Sequence, residues 1–385
     1  MTPFEFATAG RILFGSGTRD LLGGILASLG RRVLVVGGTS RRHDEWLGPL
    51  LAHEGLERAD FAVVGEPSLD MARAGVAAAR ENGCDVVLGI GGGSSLDLAK
   101  AIAALATQPG DVLDHLEVIG AGKPLTASPL PCVAVPTTAG TGSEVTKNAV
   151  LSSPEHGVKV SLRSPTMLPR VALVDPELTL SLPRDVSATT GLDAVAQLIE
   201  PFVSRNAQPL TDGLCREGLT RVRWALRGAV TQPDDLAARE AMSLASVCSG
   251  LALANAGLGA VHGLAGPIGG MFPAPHGAVC AILLPGVMEA NIRVLRERGE
   301  GDGPLARYRD VARLLTGSPK ADAEDGMAWV RAIVAELAIP PLSCYGMRAV
   351  DIPIVIARAK QASSMKGNPV VLPDDELAAI LADAV

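Results

Sequence analysis

Residues 85–100 read DVVLGIGGGSSLDLAK, and the change of character halfway along them sets the class of the chain. The first half is apolar with no polar alternation, the pattern of a strand buried on both faces of a parallel sheet. The second half passes through three glycines and two serines, residues 91–95, and continues at helical period. A strand, a glycine turn and a helix in this order set free backbone N–H groups and a helix N-terminus at one point, which is a cradle for a phosphate. Glycine lets a diphosphate approach the main chain closely, and Ser94 or Ser95 can cap the helix or donate to a phosphate oxygen. A tight strand–helix turn with a capping serine accounts for the same residues, so this stretch alone leaves both readings open.

Outward from that point the alternation repeats. RVLVVGG (32–38), FAVVG (61–65) and the helix DMARAGVAAARENG (70–83) precede it; the strand PCVAVPTT (131–138) follows. From Arg32 to about Pro176 the pattern predicts a doubly wound, mainly parallel sheet. NAVLSS and VKVSLRS, separated by PEHG, read as a hairpin added to that sheet. The loop PTTAGTGSE (136–144) repeats the small-plus-hydroxyl chemistry after another buried strand. Ligands of open α/β sheets lie beyond the carboxyl ends of strands, so both loops can line one crevice. The spacing is not the GxGxxG of a standard dinucleotide fingerprint.

From Asp185 onward strand signals almost vanish. Helices are predicted over 185–203, 210–229, 235–256, 303–315, 326–337 and 351–361, while GAVHGLAGPIGGMFPAPHGAVC (259–280) needs a loop at 273–275. The expected organisation is an α/β N-terminal dinucleotide-binding domain, 1–182, and an all-α C-terminal helical domain for metal and substrate, 183–385.

With 385 residues, 48% of them hydrophobic, the chain can bury two cores. Forty-one acidic against 34 basic residues give a formal charge of −7, with no basic run to follow a phosphate backbone, which excludes nucleic acid. No basic-then-apolar leader pattern and no uninterrupted apolar run of about 18 residues is found, so a soluble, cytoplasmic protein without a membrane partner is expected. The six cysteines lack CxxC spacing and read as buried free thiols.

GGGSSLDLAK, PTTAGTGSE, LPRVALVDPELT and TTGLDAVAQLIE, in this order, resemble the serial motifs of the iron-dependent (group III) alcohol dehydrogenase superfamily, whose dehydroquinate synthase-like fold is shared by enzymes of other chemistry. The resemblance runs from RILFGSGT (11–18) to KGNPVVLPDDELAAIL (366–381). It implies that Gly92, Gly93 and Ser94 hold the diphosphate, that Thr137, Thr138 and Thr141 contact the nicotinamide half and its phosphates, and that Asp97, Asn148 and Lys159 complete the cofactor side. NAD-selective relatives place an acidic residue after the first strand of this region; here Gly37, Gly38, Thr39 and Ser40 leave room for a 2′-phosphate, and Arg41 or Arg42 can bond to it. NADP(H) is therefore expected over NAD(H).

The same resemblance implies a metal held by one carboxylate and three imidazoles, acting as a Lewis acid on the substrate oxygen. The motifs map these to Asp193, Gln197, His262 and His276, with glutamine where the first histidine should stand. An amide oxygen is a poor donor beside an imidazole, so iron or zinc is expected to be weakly held or absent. Ala194, Val195, Ala196 and Leu198 cannot replace the lost ring, and Glu200, two turns beyond Asp193, is expected to lie too far away. A further histidine of many relatives is Gly266 here. Asp193, His262 and His276 remain the candidate catalytic residues; His43, His53, His115 and His156 read as surface groups. Lys366 and Asn368 fall in a stretch resembling a substrate-side motif, with Lys366 as a cation for an anionic substrate.

Together these readings imply an NAD(P)H-dependent oxidoreductase that interconverts a small aldehyde, ketone or oxo acid and its alcohol in a cleft between the domains, as a homodimer or larger assembly. The alternatives are a metal-independent reductase resembling maleylacetate reductases, a dehydroquinate synthase-like lyase, and a non-catalytic dinucleotide-binding protein.

Overall fold

The computed structural model describes residues 3–299 and 303–385. These form two compact units: 7–138 with 142–181, and the helical remainder, which takes in 3–6, 139–141 and the chain from 182.

The α/β unit runs β1 (Ile12–Phe14), α1 (Leu22–Ala27), β2 (Arg32–Gly38), α2 (Asp44–His53), β3 (Glu57–Val63), α3 (Leu69–Glu81), β4 (Val86–Gly91), α4 (Gly93–Leu105), β5 (Cys132–Pro136), β6 (Asn148–Ser153), β7 (Val158–Arg163) and β8 (Val171–Val174). Six strands form one parallel sheet in the order β1-β8-β5-β4-β2-β3. Alternate side chains of β2 and β4 serve opposite faces, as the two-residue period of a strand requires. Leu34, Val36 and Val87 join a core with Leu98 and Ile102 of α4, while Val33, Val35, Leu88 and Ile90 join a second core with Leu22 of α1 and Leu47 of α2. β3 starts four residues before FAVVG because ERADFAV is an edge strand whose exposed polar residues dilute the apolar signal.

The hairpin β6–β7 exists, but it is not part of the main sheet. It forms its own antiparallel pair, and an isolated bridge joins Ser152 to Ser68, with Ser152 N donating to Pro67 O at 2.8 Å. Its alternating burial turns Ala149, Leu151, Val160 and Leu162 onto α4, so a helix face rather than a strand edge receives it.

The helical unit comprises α5 (Arg184–Val203), α6 (Pro209–Thr231), α7 (Leu236–Ala256), α8 (Ala260–Met271), α9 (His276–Glu297), α10 (Pro304–Thr316), α11 (Ala323–Glu336), α12 (Ile352–Ala359) and α13 (Asp374–Ala384). The expected break at 273–275 separates α8 from α9. α7 and α9 are long and apolar enough to cross a membrane, yet they are largely buried in the core of this unit, which accounts for their composition. Segment 139–141 belongs here because Gly140 lies on α5: a Cβ on it would meet the Thr190 carbonyl oxygen at 2.6 Å.

Candidate functional site

The carboxyl ends of β5, β4 and β2 are neighbours, since Pro136 pairs with Gly91 and Ile90 with Gly37. The chain leaves β2 toward one edge of the sheet and leaves β4 toward the other, which makes this a switch point where open α/β sheets bind ligands. At it, Gly91 has φ +147°, and a Cβ there would lie 2.5 Å from Ser95 Oγ. Gly92 approaches Thr138 so closely that its own Cβ would be 3.2 Å from the threonine methyl, and Thr137 N donates to Gly91 O at 2.8 Å, tying the two loops together. α4 opens at Gly93 with Gly92 as its cap, so neither Ser94 nor Ser95 caps it; both lie inside its first turn, and no side chain occupies the capping position. Ser95 N and Leu96 N donate to Gly92 O, so the N–H groups of Gly93 and Ser94 are the ones this helix start leaves open to an anion.

Behind the cradle the expected cofactor residues divide. Asp97 is used internally: Oδ1 accepts from Ser143 Oγ at 2.5 Å and Oδ2 from Val150 N at 2.8 Å. Lys100, fully buried, donates to Ser143 O, Thr146 Oγ1 and Asn148 O and lies 3.1 Å from Asp97 Oδ1, pinning segment 143–148 to α4. Asn148 therefore gives its carbonyl to this brace. Lys159 pairs with Glu66 at 2.5 Å. Burial pushes the Glu144 carboxyl up to about 7. Thr141 falls with the helical unit rather than with Thr137 and Thr138.

At the end of β2, Gly37, Gly38, Arg41, His43, Asp44 and Arg58 line a groove. A Cβ on Gly38 would have nothing within 4 Å, and Thr39 and Ser40 are exposed. Of the two arginines, Arg41 lines the groove whereas Arg42 donates to Ser181 O at 3.3 Å. Arg58 is neutralised by Asp44 and Asp60 at 2.5 and 2.7 Å. His43, read as a surface group, lies in this wall.

In the helical unit α5, α8 and α9 bring Asp193, His262 and His276 together with a fourth group, Cys280; one ligand atom from each lies within 4.8 Å of all the others. Asp193 is 1% exposed, and its Oδ1 faces His262 Nε2 at 3.4 Å and His276 Nε2 at 3.8 Å without a hydrogen bond among the described residues. Cys280 Sγ lies 3.7 Å from His262 Nε2 and 3.6 Å from His276 Nε2. Burial would raise the Asp193 carboxyl, but His276 and His262 overcome it and hold the group below its ordinary value. Burial works against charge on His262 too, yet Cys280, Glu200 and Asp193 raise the ring well above its usual range.

Gln197 meets this group through its amide nitrogen. Its Nε2 donates to Asp193 Oδ2 at 2.9 Å and its Oε1 accepts from Ser249 Oγ at 3.0 Å, so the amide oxygen assigned to the donor set is already used. Cys280, one turn after His276 on the same face of α9, is a residue that sequence reasoning, weighing only the residues beside Gln197 and Glu200, does not name. The His-x3-Cys spacing was its sequence signal, obscured by the apolar run AVCAILLP. Glu200, though no part of the cluster, touches it: Oε2 lies 2.5 Å from His262 Nδ1 and Oε1 accepts from Val261 N at 2.7 Å, which directs Nε2 toward Asp193. Asn368 is structural, bonding Ala260 N, Asn291 and Val370 O, and Lys366 is exposed. Of the other cysteines, Cys344 is exposed and Cys84 partly so; burial raises the Cys132, Cys215 and Cys248 thiols.

Comparison with known proteins gives a consistent picture. Residues 9–176 match the family described as iron-containing alcohol dehydrogenase, and 187–385 match the C-terminal part of the same family. A 1,3-propanediol dehydrogenase of Klebsiella pneumoniae is 35% identical over 342 residues, covering 87% of this chain and 85% of that protein. Among solved structures, a 1,3-propanediol oxidoreductase superposes with a TM-score of 0.91 at 32% identity over the whole of both chains. A sulfoacetaldehyde reductase from Bifidobacterium kashiwanohense, solved with NAD+, superposes at 0.88 and 27% identity over 100% of this chain and 99% of that one.

Proposed function

The chain belongs to the iron-containing alcohol dehydrogenase family, and we propose that it interconverts a small aldehyde, ketone or oxo acid with its alcohol, using NADP(H) in preference to NAD(H) and a divalent metal at Asp193, His262 and His276. The observation that carries the cofactor choice is the carboxyl end of the sheet at β4 and β2, where a diphosphate cradle stands beside a groove that has Arg41 and no carboxylate at Gly38. The buried, unpartnered Asp193 Oδ1 among two imidazoles is the feature that fits a cation. Relatives that act on a propanediol and on an aldehyde support a small substrate of this class.

When bound, the dinucleotide supplies the hydride and the metal supplies a Lewis acid for the substrate oxygen. The chain's own residues provide position and electrostatics. The first-turn N–H groups of α4 and the bare backbone at Gly91 and Gly92 receive the diphosphate. Arg41 offers a charge-assisted donor to a 2′-phosphate. Glu200 fixes the His262 ring so that Nε2 faces Asp193, and Gln197 holds the Asp193 carboxylate in place from its other oxygen. The test is NADPH and NADH oxidation against a panel of small carbonyls. Stoichiometric formation of alcohol, with higher kcat/KM for NADPH, is expected; cofactor binding without net oxidation by any carbonyl would sink the proposal.

A further inference from the structure

We propose that Cys280 is a metal ligand in this protein, its thiolate replacing the imidazole that Gln197 does not provide, and that the resulting Asp193–His262–His276–Cys280 set is a zinc site of tetrahedral geometry. This rests on the reading above that the cluster holds a metal, and deepens it by naming the fourth donor and the ion.

The first argument is shape. With Zn–N and Zn–O near 2.0–2.1 Å and Zn–S near 2.3 Å, a tetrahedron has N···O edges of about 3.3 Å and N···S edges of about 3.6 Å. The protein has 3.4 and 3.8 Å for its two N···O separations and 3.7 and 3.6 Å for its two N···S separations. Four of the six separations among these donor atoms, which come from three helices, match those a single small cation imposes, and all six are within 4.8 Å. The second argument is the accounting of polar atoms. Asp193 Oδ2 is satisfied by Gln197, whereas Oδ1 is buried with no hydrogen-bond partner among the described residues and only faces His262 and His276 at 3.4 and 3.8 Å, the place a cation shared by all three would occupy. The third argument is donor chemistry. The amide oxygen of Gln197 is bonded to Ser249 and points elsewhere, so the two residues that differ from the implied ligand set act together: glutamine becomes a brace for Asp193 and sulfur becomes the donor. A thiolate among imidazoles favours zinc over the iron of the family's name. On binding, the Cys280 thiol releases its proton to solvent and the sulfur lone pair takes its place on the ion.

The test uses the full chain, stripped by chelator and reloaded with Co2+ or Zn2+ alone. Wild type is expected to take up one Co2+ per chain with a thiolate-to-cobalt charge-transfer band in the near ultraviolet. Cys280→Ser should lose that band and weaken Zn2+ binding by at least about 100-fold, since even losing a partner of a ligand commonly costs 10- to 100-fold. Cys280→His, made in case the serine variant fails to fold, should keep one Co2+ per chain through its imidazole and lose the band. Stoichiometric Co2+ without the band in wild type, a band that survives Cys280→Ser or Cys280→His, or failure of wild type to take up metal would each overturn the assignment. Carbonyl-dependent NADPH oxidation measured on the same samples separates the two proposals. Turnover without the band faults the ligand assignment, and the band without turnover faults the reaction while the ligand stands.

Discussion

At Gly38 the absence of one side chain carries the proposed preference for NADP(H). A Cβ there meets nothing within 4 Å, so Gly38→Asp fits without displacing the backbone and sets a carboxylate where ribose hydroxyls or a 2′-phosphate would lie. Each charge-assisted hydrogen bond gained or lost is worth roughly 1.5–3 kcal/mol, so the ratio of Kd values should swing toward NADH by on the order of 10- to 100-fold. Titration of both cofactors into wild type and variant checks this, and an unchanged ratio would mean that the groove is not the adenosine site. Glu144 carries a pH dependence of the opposite kind. Its carboxyl ionises near 4.5 when unfolded and at about 7 when folded, because burial disfavours the charge. Between these values the folded state holds a proton that the unfolded state has lost, so stability is greatest below the lower value and falls as pH rises toward the upper one. At about 1.4 kcal/mol per pH unit the loss is on the order of 3 kcal/mol. Denaturation of wild type and Glu144→Gln from pH 5 to 8 should show the variant gaining on wild type as pH rises; parallel curves would refute the account.

Among elements, α9 illustrates how a local rule and a packing constraint compete. Alanine in place of a helix-interior glycine ordinarily gains about 0.5–1 kcal/mol. At Gly277, however, a Cβ would meet the Thr189 carbonyl oxygen of α5 at 2.4 Å, and backbone does not yield as a flexible side chain does. Overpacking costs typically about 1–3 kcal/mol, which wins. Gly277→Ala should lower the denaturation midpoint and, by moving His276 and Cys280 off α5, weaken zinc binding; a midpoint at or above wild type would show that α9 shifts freely. The hairpin shows the complementary lesson. Alternating residues at 148–153 and 158–163 made two paired strands legible, because period and turn chemistry are local. Which surface they cover was not legible, because α4 and a strand edge accept the same apolar face.

For the molecule as a whole, two units with separate cores imply separable responses to ligands. A ligand that binds only the folded state slows the openings of the region that holds it. Hydrogen exchange should therefore slow chiefly in β4, the first turn of α4 and residues 137–138 with NADPH, and chiefly in α5, α8 and α9 with Zn2+. The reverse pattern, or zinc protection centred on the sheet, would contradict the assignment of the sites. By itself the sequence determined the α/β and helical halves, the parallel sheet and the strand–glycine–helix turn at 91–95, for each is written in a contiguous stretch where apolar period, glycine and helix start act on their neighbours. It also located Asp193, His262 and His276, through motifs of the family. The tertiary structure alone decided which atom of Gln197 faces Asp193, that Glu200 orients His262, and that Cys280 completes the group. Those outcomes depend on how α5, α7, α8 and α9 pack. The side chains are distant along the chain, so no local pattern of residues encodes the few ångströms that separate a buried thiol from a ligand.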